Sequence, residues 1–132
     1  MKKIANFLLL LSLLTFLFYG CVPLVPIVAV TAAGGTYSVT ADSITDSIDK
    51  PREILIEQFI KVIKKDGALI ISSSIAEGSV SAEKGNYKIY FNTKEVNEKI
   101  TKFTIRARKG YNTIPDKEEA IRIYNLFKKE LQ

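Results

Sequence analysis

The sequence predicts an α+β two-layer sandwich: a mostly antiparallel sheet of four to five strands with two helices on one face, in the order β-α-β-β-β-β-α. Three observations predict it. Leu55, Phe59, Val62 and Ile63 recur at helical spacing between Pro51 and Gly67. Two later stretches alternate apolar and polar residues with period two. A capping residue, Asp116, then precedes a second helical stripe.

Taken in order, residues 36–48 read as extended. Tyr37, Val39 and Ala41 alternate, and the phase then shifts to Ile44 and Ile48, which predicts two short strands or one strand with a bulge. Asp49 is expected to cap the first helix and Pro51 suits a first turn, with Gly67 as a left-handed stop; this places the helix at residues 51–65. Residues 68–76, with Leu69, Ile70, Ile71 and Ile75, read as a central, well-buried strand. Glu77-Gly78 turns the chain into a strand at residues 79–84, and Gly85-Asn86 makes a tight hairpin into residues 87–94. A looser turn leads to residues 100–108.

In those last two strands Tyr87, Ile89 and Phe91 share a face that Phe103, Ile105 and Ala107 join. Lys88, Tyr90, Asn92 and Lys94 point the other way, with Lys102, Thr104, Arg106 and Arg108. In the final helix Asp116 and Glu119 are spaced as a capping box, Glu118 adds charge to the first turn, and Lys128 and Lys129 complement the dipole at the end. Ala120, Tyr124, Phe127 and Leu131 form its apolar stripe.

The first 35 residues carry a different message. Lys2 and Lys3 precede an apolar run from Ile4 to Tyr19, then the small residue Gly20, then Cys21. That order is the layout of a secretory signal, and the run is short of the roughly 20 residues that span a bilayer. Val22 to Ala33 is also apolar, so an uncleaved transmembrane anchor is the competing expectation; Pro23 and Pro26 weigh against it by removing helical hydrogen bonds. The organisation expected is a signal at residues 1–20, a lipidated apolar and flexible tether at 21–35, and one domain at 36–132.

Composition narrows the chemistry. Removing 20 of the 132 residues leaves 112, and loss of Lys2 and Lys3 leaves 17 basic against 14 acidic side chains. A net charge of +3 falls short of a nucleic-acid-binding signature. The chain has no His, the side chain best suited to proton transfer near neutral pH, and a single Cys, which leaves no intrachain disulfide or thiolate cluster.

No catalytic, cofactor or metal residues are therefore expected. Ser72-Ser73-Ser74 has no His for a base and no nucleophile elbow, and is expected to fill a packed sheet. Asp42, Asp46, Asp49, Glu53 and Glu57 are the carboxylates an acid–base or metal-dependent enzyme would draw on. Structural roles are expected for them, with Glu57 pairing Lys61. Lys88, Lys94, Lys102, Arg106 and Arg108, with Tyr90 among them, are expected to form one cationic sheet face. Its candidate partners are anionic lipid head groups or an acidic envelope polymer.

Phe18-Tyr19-Gly20-Cys21 resembles the lipobox of bacterial lipoproteins, in which a small residue precedes the Cys; Phe18 stands where Leu is usual. The resemblance implies a thioether-linked diacylglycerol on Cys21, which becomes the acylated N-terminus after cleavage. Several acyl chains at about 0.8 kcal/mol per buried methylene hold such a protein on a membrane. Val22 is not the Asp that favours inner-membrane retention, which implies the periplasmic face of an outer membrane. With Ala32-Ala33-Gly34-Gly35-Thr36-Tyr37 and the strand–helix–strands–helix order, the whole chain resembles a family of small bacterial lipoproteins known only as a domain of unknown function. That implies a membrane-attached lipoprotein and supplies no catalytic residues. A non-enzymatic scaffold or binding module is the expectation.

Overall fold

The structure is a computed structural model and describes residues 28–32 and 35–132. The expected α+β class is present, with two helices packed on one face of an antiparallel sheet. The strands are β1 (Val28–Ala32), β2 (Gly35–Val39), β3 (Ser43–Ile48), β4 (Leu69–Ser74), β5 (Ser79–Lys84), β6 (Tyr87–Glu95), β7 (Thr101–Lys109) and the two-residue β8 (Ile114–Pro115). The helices are α1 (Arg52–Lys65) and α2 (Lys117–Leu131). The sheet order is β1-β2-β3-β7-β6-β5-β4, with β8 pairing the end of β7 beyond β3.

The strand count exceeds the four to five expected. The phase shift after Ala41 does mark two strands, β2 and β3, joined through Thr40, whose N–H donates to the Ser43 carbonyl at 2.8 Å. In addition, the stretch expected to be a flexible tether contributes β1, and Ala32 pairs with Gly35 as β1 folds back on β2. The sequence of β1, Val-Ala-Val-Thr-Ala, is rich in the β-branched residues that suit a pleated strand. The sheet thus begins at Val28, eight residues before the domain boundary read from sequence.

Helix α1 starts one residue later than expected, and Asp49 does not cap it. Pro51 occupies the cap position in extended geometry with no side-chain bond to the helix. Its carbonyl accepts from Leu55 N at 3.3 Å. Gly67, at φ +85, ends the helix as predicted: Ala68 N donates to Ile63 O and Gly67 N to Lys64 O, the paired bonds of a Schellman stop. Only half of the capping box forms on α2. Asp116 accepts from Glu119 N at 3.0 Å, but the Glu119 carboxylate is taken by Arg122.

Residues 69–74 correct a further expectation, that of a central, well-buried strand. The strand is at the sheet edge, pairs only with β5, and is mostly exposed, Leu69 by 69% and Ile71 by 53%. A register shift between Ile70 and Ser72 leaves Ile71 as a bulge residue. An unbroken apolar run does not separate a two-sided buried strand from an edge, because burial is set by neighbours the run itself does not specify.

The core lies between the sheet and the helices, with α1 over β4, β5 and β6 and α2 over β3 and β7. Phe59 of α1 stacks on Phe91 of β6, with ring centres 4.2 Å apart. Phe127 of α2 meets Phe59, Phe91 and Phe103 edge-on at 5.3–5.5 Å, and all four rings are fully buried. An ion-pair clasp joins the helices outside this core. Asp66, at the end of α1, receives both terminal nitrogens of Arg122 at 2.8 and 2.6 Å and Lys84 at 2.9 Å.

Candidate functional site

The sheet face turned away from the helices is open. The register of β6 and β7 sets Lys88 opposite Arg108, Tyr90 opposite Arg106, Asn92 opposite Thr104 and Lys94 opposite Lys102. All five cations singled out from sequence therefore share this face, with Tyr90 among them. Period-two alternation fixed that outcome once the apolar set was buried. The neighbouring strands extend the face with small hydroxyl residues, because β3 brings Ser43, Thr45 and Ser47 beside β7, and β5 brings Ser79 and Ser81 beside β6. Thr45 and Thr104 share a hydroxyl hydrogen bond of 2.9 Å, and Ser72 and Ser81 one of 2.8 Å.

The five cations do not form one patch electrostatically. Asp42, in the turn between β2 and β3, lies 3.4 Å from Arg106 Nε and 3.1 Å from Arg108 Nε. Arg108 also donates from Nη1 to the Asn112 carbonyl at 3.2 Å. Glu83 lies 3.3 Å from Lys88. Lys94 and Lys102 are exposed, stand opposite each other across β6 and β7, and have no acidic partner within 4 Å among the described residues. Like charges placed directly across a strand pair repel. The sequence could not foretell this partition, because Asp42 reaches its partners only through the β3–β7 pairing, 64 and 66 positions away in the chain.

On the opposite face the structure builds a polar site that periodicity alone understates. Asp46 follows the inward phase of Ile44 and Ile48, yet is a carboxylate and only 5% exposed. It accepts from the Tyr124 hydroxyl at 2.8 Å, Lys128 Nζ at 3.0 Å and Ser47 N at 2.7 Å. Burial first, and the Asp46 carboxylate second, hold the Tyr124 hydroxyl well above its usual pKa. Tyr37 of β2 packs its ring 5.0 Å from that of Tyr124. The signal in the sequence is Tyr124 and Lys128 four apart on the stripe of α2, which converge on one point of the sheet. This cluster is a satisfied buried carboxylate, built to join β3 to α2.

The remaining carboxylates disperse. Asp49, Glu53 and Glu57 are exposed, and Lys61 pairs with Glu130 of α2 at 2.6 Å instead of with Glu57. No group of three metal-ligating side chains occurs among the described residues. Ser72 and Ser73 are exposed on the edge strand, not packed, and the Ser74 hydroxyl accepts from Glu77 N in the following turn. A depression of about 350 Å³ between the helices contains Asp66 and Glu130, both tied to basic partners. A second, of about 420 Å³, contains Glu95, held by Arg52 at 3.2 Å, and Glu98.

The signal, the lipobox and Cys21 lie outside the described residues, as does the apolar segment weighed as a transmembrane anchor up to residue 27. Among the described residues no helix is long and apolar enough to cross a membrane. No protein-family model matches the chain, and no curated protein matches it.

Proposed function

We propose that this chain is a bacterial envelope lipoprotein, lipidated on Cys21 and held at the periplasmic face of an outer membrane. Its domain serves as a non-enzymatic binding module. The open sheet face takes an acidic envelope polymer, with Lys94 and Lys102 as the primary contacts and Tyr90, Asn92, Thr104 and Ser47 as flat, hydrogen-bonding surroundings. The observation that carries the reading is the facing pair of exposed lysines with no acidic partner within 4 Å among the described residues. Bringing an anion between them relieves their repulsion and neutralises both.

Polarity within the sheet favours a polymer over the head groups of the anchoring membrane. The chain enters β1 at Val28, in the row that runs through Val39, Ile44 and Ile105. Strand β7 runs opposite to β1, so Lys102 lies three residues, about 10 Å, from that row on the side away from the entering chain. Lys94, paired with Lys102, lies on that same side, away from the point where the chain enters β1.

Two measurements test the proposal. Metabolic labelling with a fatty-acid analogue should mark the wild type and be abolished by Cys21→Ser; label that survives the substitution, or a mature mass that retains the leader, overturns the anchor. Binding of dextran sulfate and polygalacturonate should weaken roughly 30-fold in Lys94→Gln/Lys102→Gln, taking about 1 kcal/mol for each lysine near an anionic surface. It should also weaken with added salt. Unchanged affinity removes the proposed contacts.

A further inference from the structure

The turn between β7 and β8 is the most unusual backbone in the described chain. Gly110, Tyr111 and Asn112 take φ of 61, 55 and 69, three successive residues in the left-handed region. Glycine and, less readily, Asn tolerate that region, whereas Tyr does so only under constraint. Constraint is present. Thr113 N donates to both the Lys109 and Gly110 carbonyls at 3.2 Å, the Thr113 hydroxyl donates to Gly110 O, and Arg108 ties down the Asn112 carbonyl. The turn is therefore held in one shape, and that shape projects Tyr111 into solvent at 92% exposure. Ile114, immediately after the turn, is 50% exposed. Backbone strain that presents a bare aromatic ring stabilises nothing in the fold, and such strain concentrates where a surface is made for contact.

The position of the turn names the contact. Strands β1 and β3 run in one direction and β7 in the other, so the C-terminal end of β7 lies at the end of the sheet through which the chain enters β1. From the row containing Val28, Val39, Ile44 and Ile105, Gly110 lies five residues further along β7, about 16 Å. Laterally, β7 is three strands from β1, about 14 Å. Only six residues separate Cys21 from Val28, a reach of at most about 24 Å. A lipid on Cys21 thus keeps the bilayer within the distance at which this turn stands.

We infer that the turn at residues 110–113 is a membrane-interface contact: Tyr111, supported by Ile114, seats in the head-group layer and sets the orientation of the anchored domain. Tyr suits that layer, with an apolar ring and a hydroxyl that stays hydrated. The nearby cations do not dominate the contact, since Arg106 and Arg108 share Asp42, Lys109 pairs with Asp116 at 3.1 Å, and Lys88 pairs with Glu83. The inference rests on the lipid-anchored reading above.

Because the chain contains no Trp, a single Trp reports its own surroundings. The full-length lipidated protein is reconstituted in phosphatidylcholine vesicles as Tyr111→Trp, and separately as Val96→Trp in the loop at the opposite end of the sheet. Lipidation is checked by intact mass. Tyr111→Trp should show blue-shifted emission and lose intensity when bromine-labelled lipid is included, while Val96→Trp shows neither change. Replacing part of the phosphatidylcholine by phosphatidylglycerol should leave the contrast intact. Should Tyr111→Trp fail to give the wild-type circular dichroism spectrum, Ile114→Trp is read in its place. Lipidated, vesicle-bound protein in which the Trp at the turn stays unquenched overturns the contact and leaves the anchor standing, and equal quenching at both ends overturns it as well. Protein that carries no lipid overturns the anchor, and the contact with it.

Discussion

Asp46 shows how one residue departs from a pattern that otherwise reads cleanly. Its neighbours Ile44 and Ile48 mark the inward phase of β3, and a carboxylate between them survives burial because Tyr124, Lys128 and Ser47 N satisfy it. Removing one donor leaves the charge buried with fewer partners. A hydrogen bond to a charged group contributes about 1.5–3 kcal/mol, so Tyr124→Phe is expected to destabilise by that amount, read as a lower urea midpoint at unchanged slope. The ring contacts with Tyr37 and Phe103 persist in the variant, which confines the loss to the hydroxyl. A midpoint equal to wild type would mean that the Tyr124 hydroxyl contributes nothing net.

At the scale of elements, β4 and β7 form an instructive pair. Both carry Ile beside hydroxyl residues, yet Ile105 of β7 is fully buried between β3 and β6 whereas Ile71 of β4 stands on an exposed bulge. Lysine at position 71 should therefore change stability by no more than about 0.5 kcal/mol, as for other surface sites. Ile105→Lys buries an unpaired charge and should prevent folding. Thermal denaturation of the two variants decides it; a large loss for Ile71→Lys would return β4 to the interior. The same edge, uncharged from Ala68 to Ala76, lacks the lysines and prolines that usually blunt exposed strands.

Across the whole molecule, the two helices are locked over the sheet by Asp66, Arg122, Glu119 and Lys84, drawn from α1, α2 and β5. The Arg122 guanidinium, aided by Lys84, holds the Asp66 carboxyl below the usual carboxylate range despite an opposing effect of burial. A folded pKa below the unfolded value means that the unfolded chain takes up the proton first. The stabilisation from Asp66 is thus complete above about pH 3.9, the unfolded value, and is lost as the pH falls through the folded pKa. Asp66→Asn should lower stability at pH 7 and flatten the acid limb of the stability curve between pH 5 and 2. An acid limb as steep as wild type would assign acid sensitivity to other carboxylates. Asp116 contributes in the same direction, its carboxyl held down first by the Glu119 N–H and then by Lys109.

Local chemistry was enough to read both helices, the left-handed stop at Gly67, the Gly85-Asn86 hairpin and the common face of five cations, because each depends on residues within about one turn or on strict alternation. Cys21 and its leader are likewise a local pattern, and the lipid they imply remains a proposal drawn from sequence. Tertiary structure alone decided which strand is the edge, that Val28–Ala32 joins the sheet, and that Asp42 and Glu83 pair three of the five cations while Lys94 and Lys102 have no acidic partner among the described residues. It alone also placed Tyr111 at the end where the chain enters. The physical reason is common to all four. Burial and charge pairing depend on which distant strands become neighbours, and the β3–β7 pairing that joins the two halves of the sheet is made by residues 53 or more positions apart, beyond the range of any local pattern.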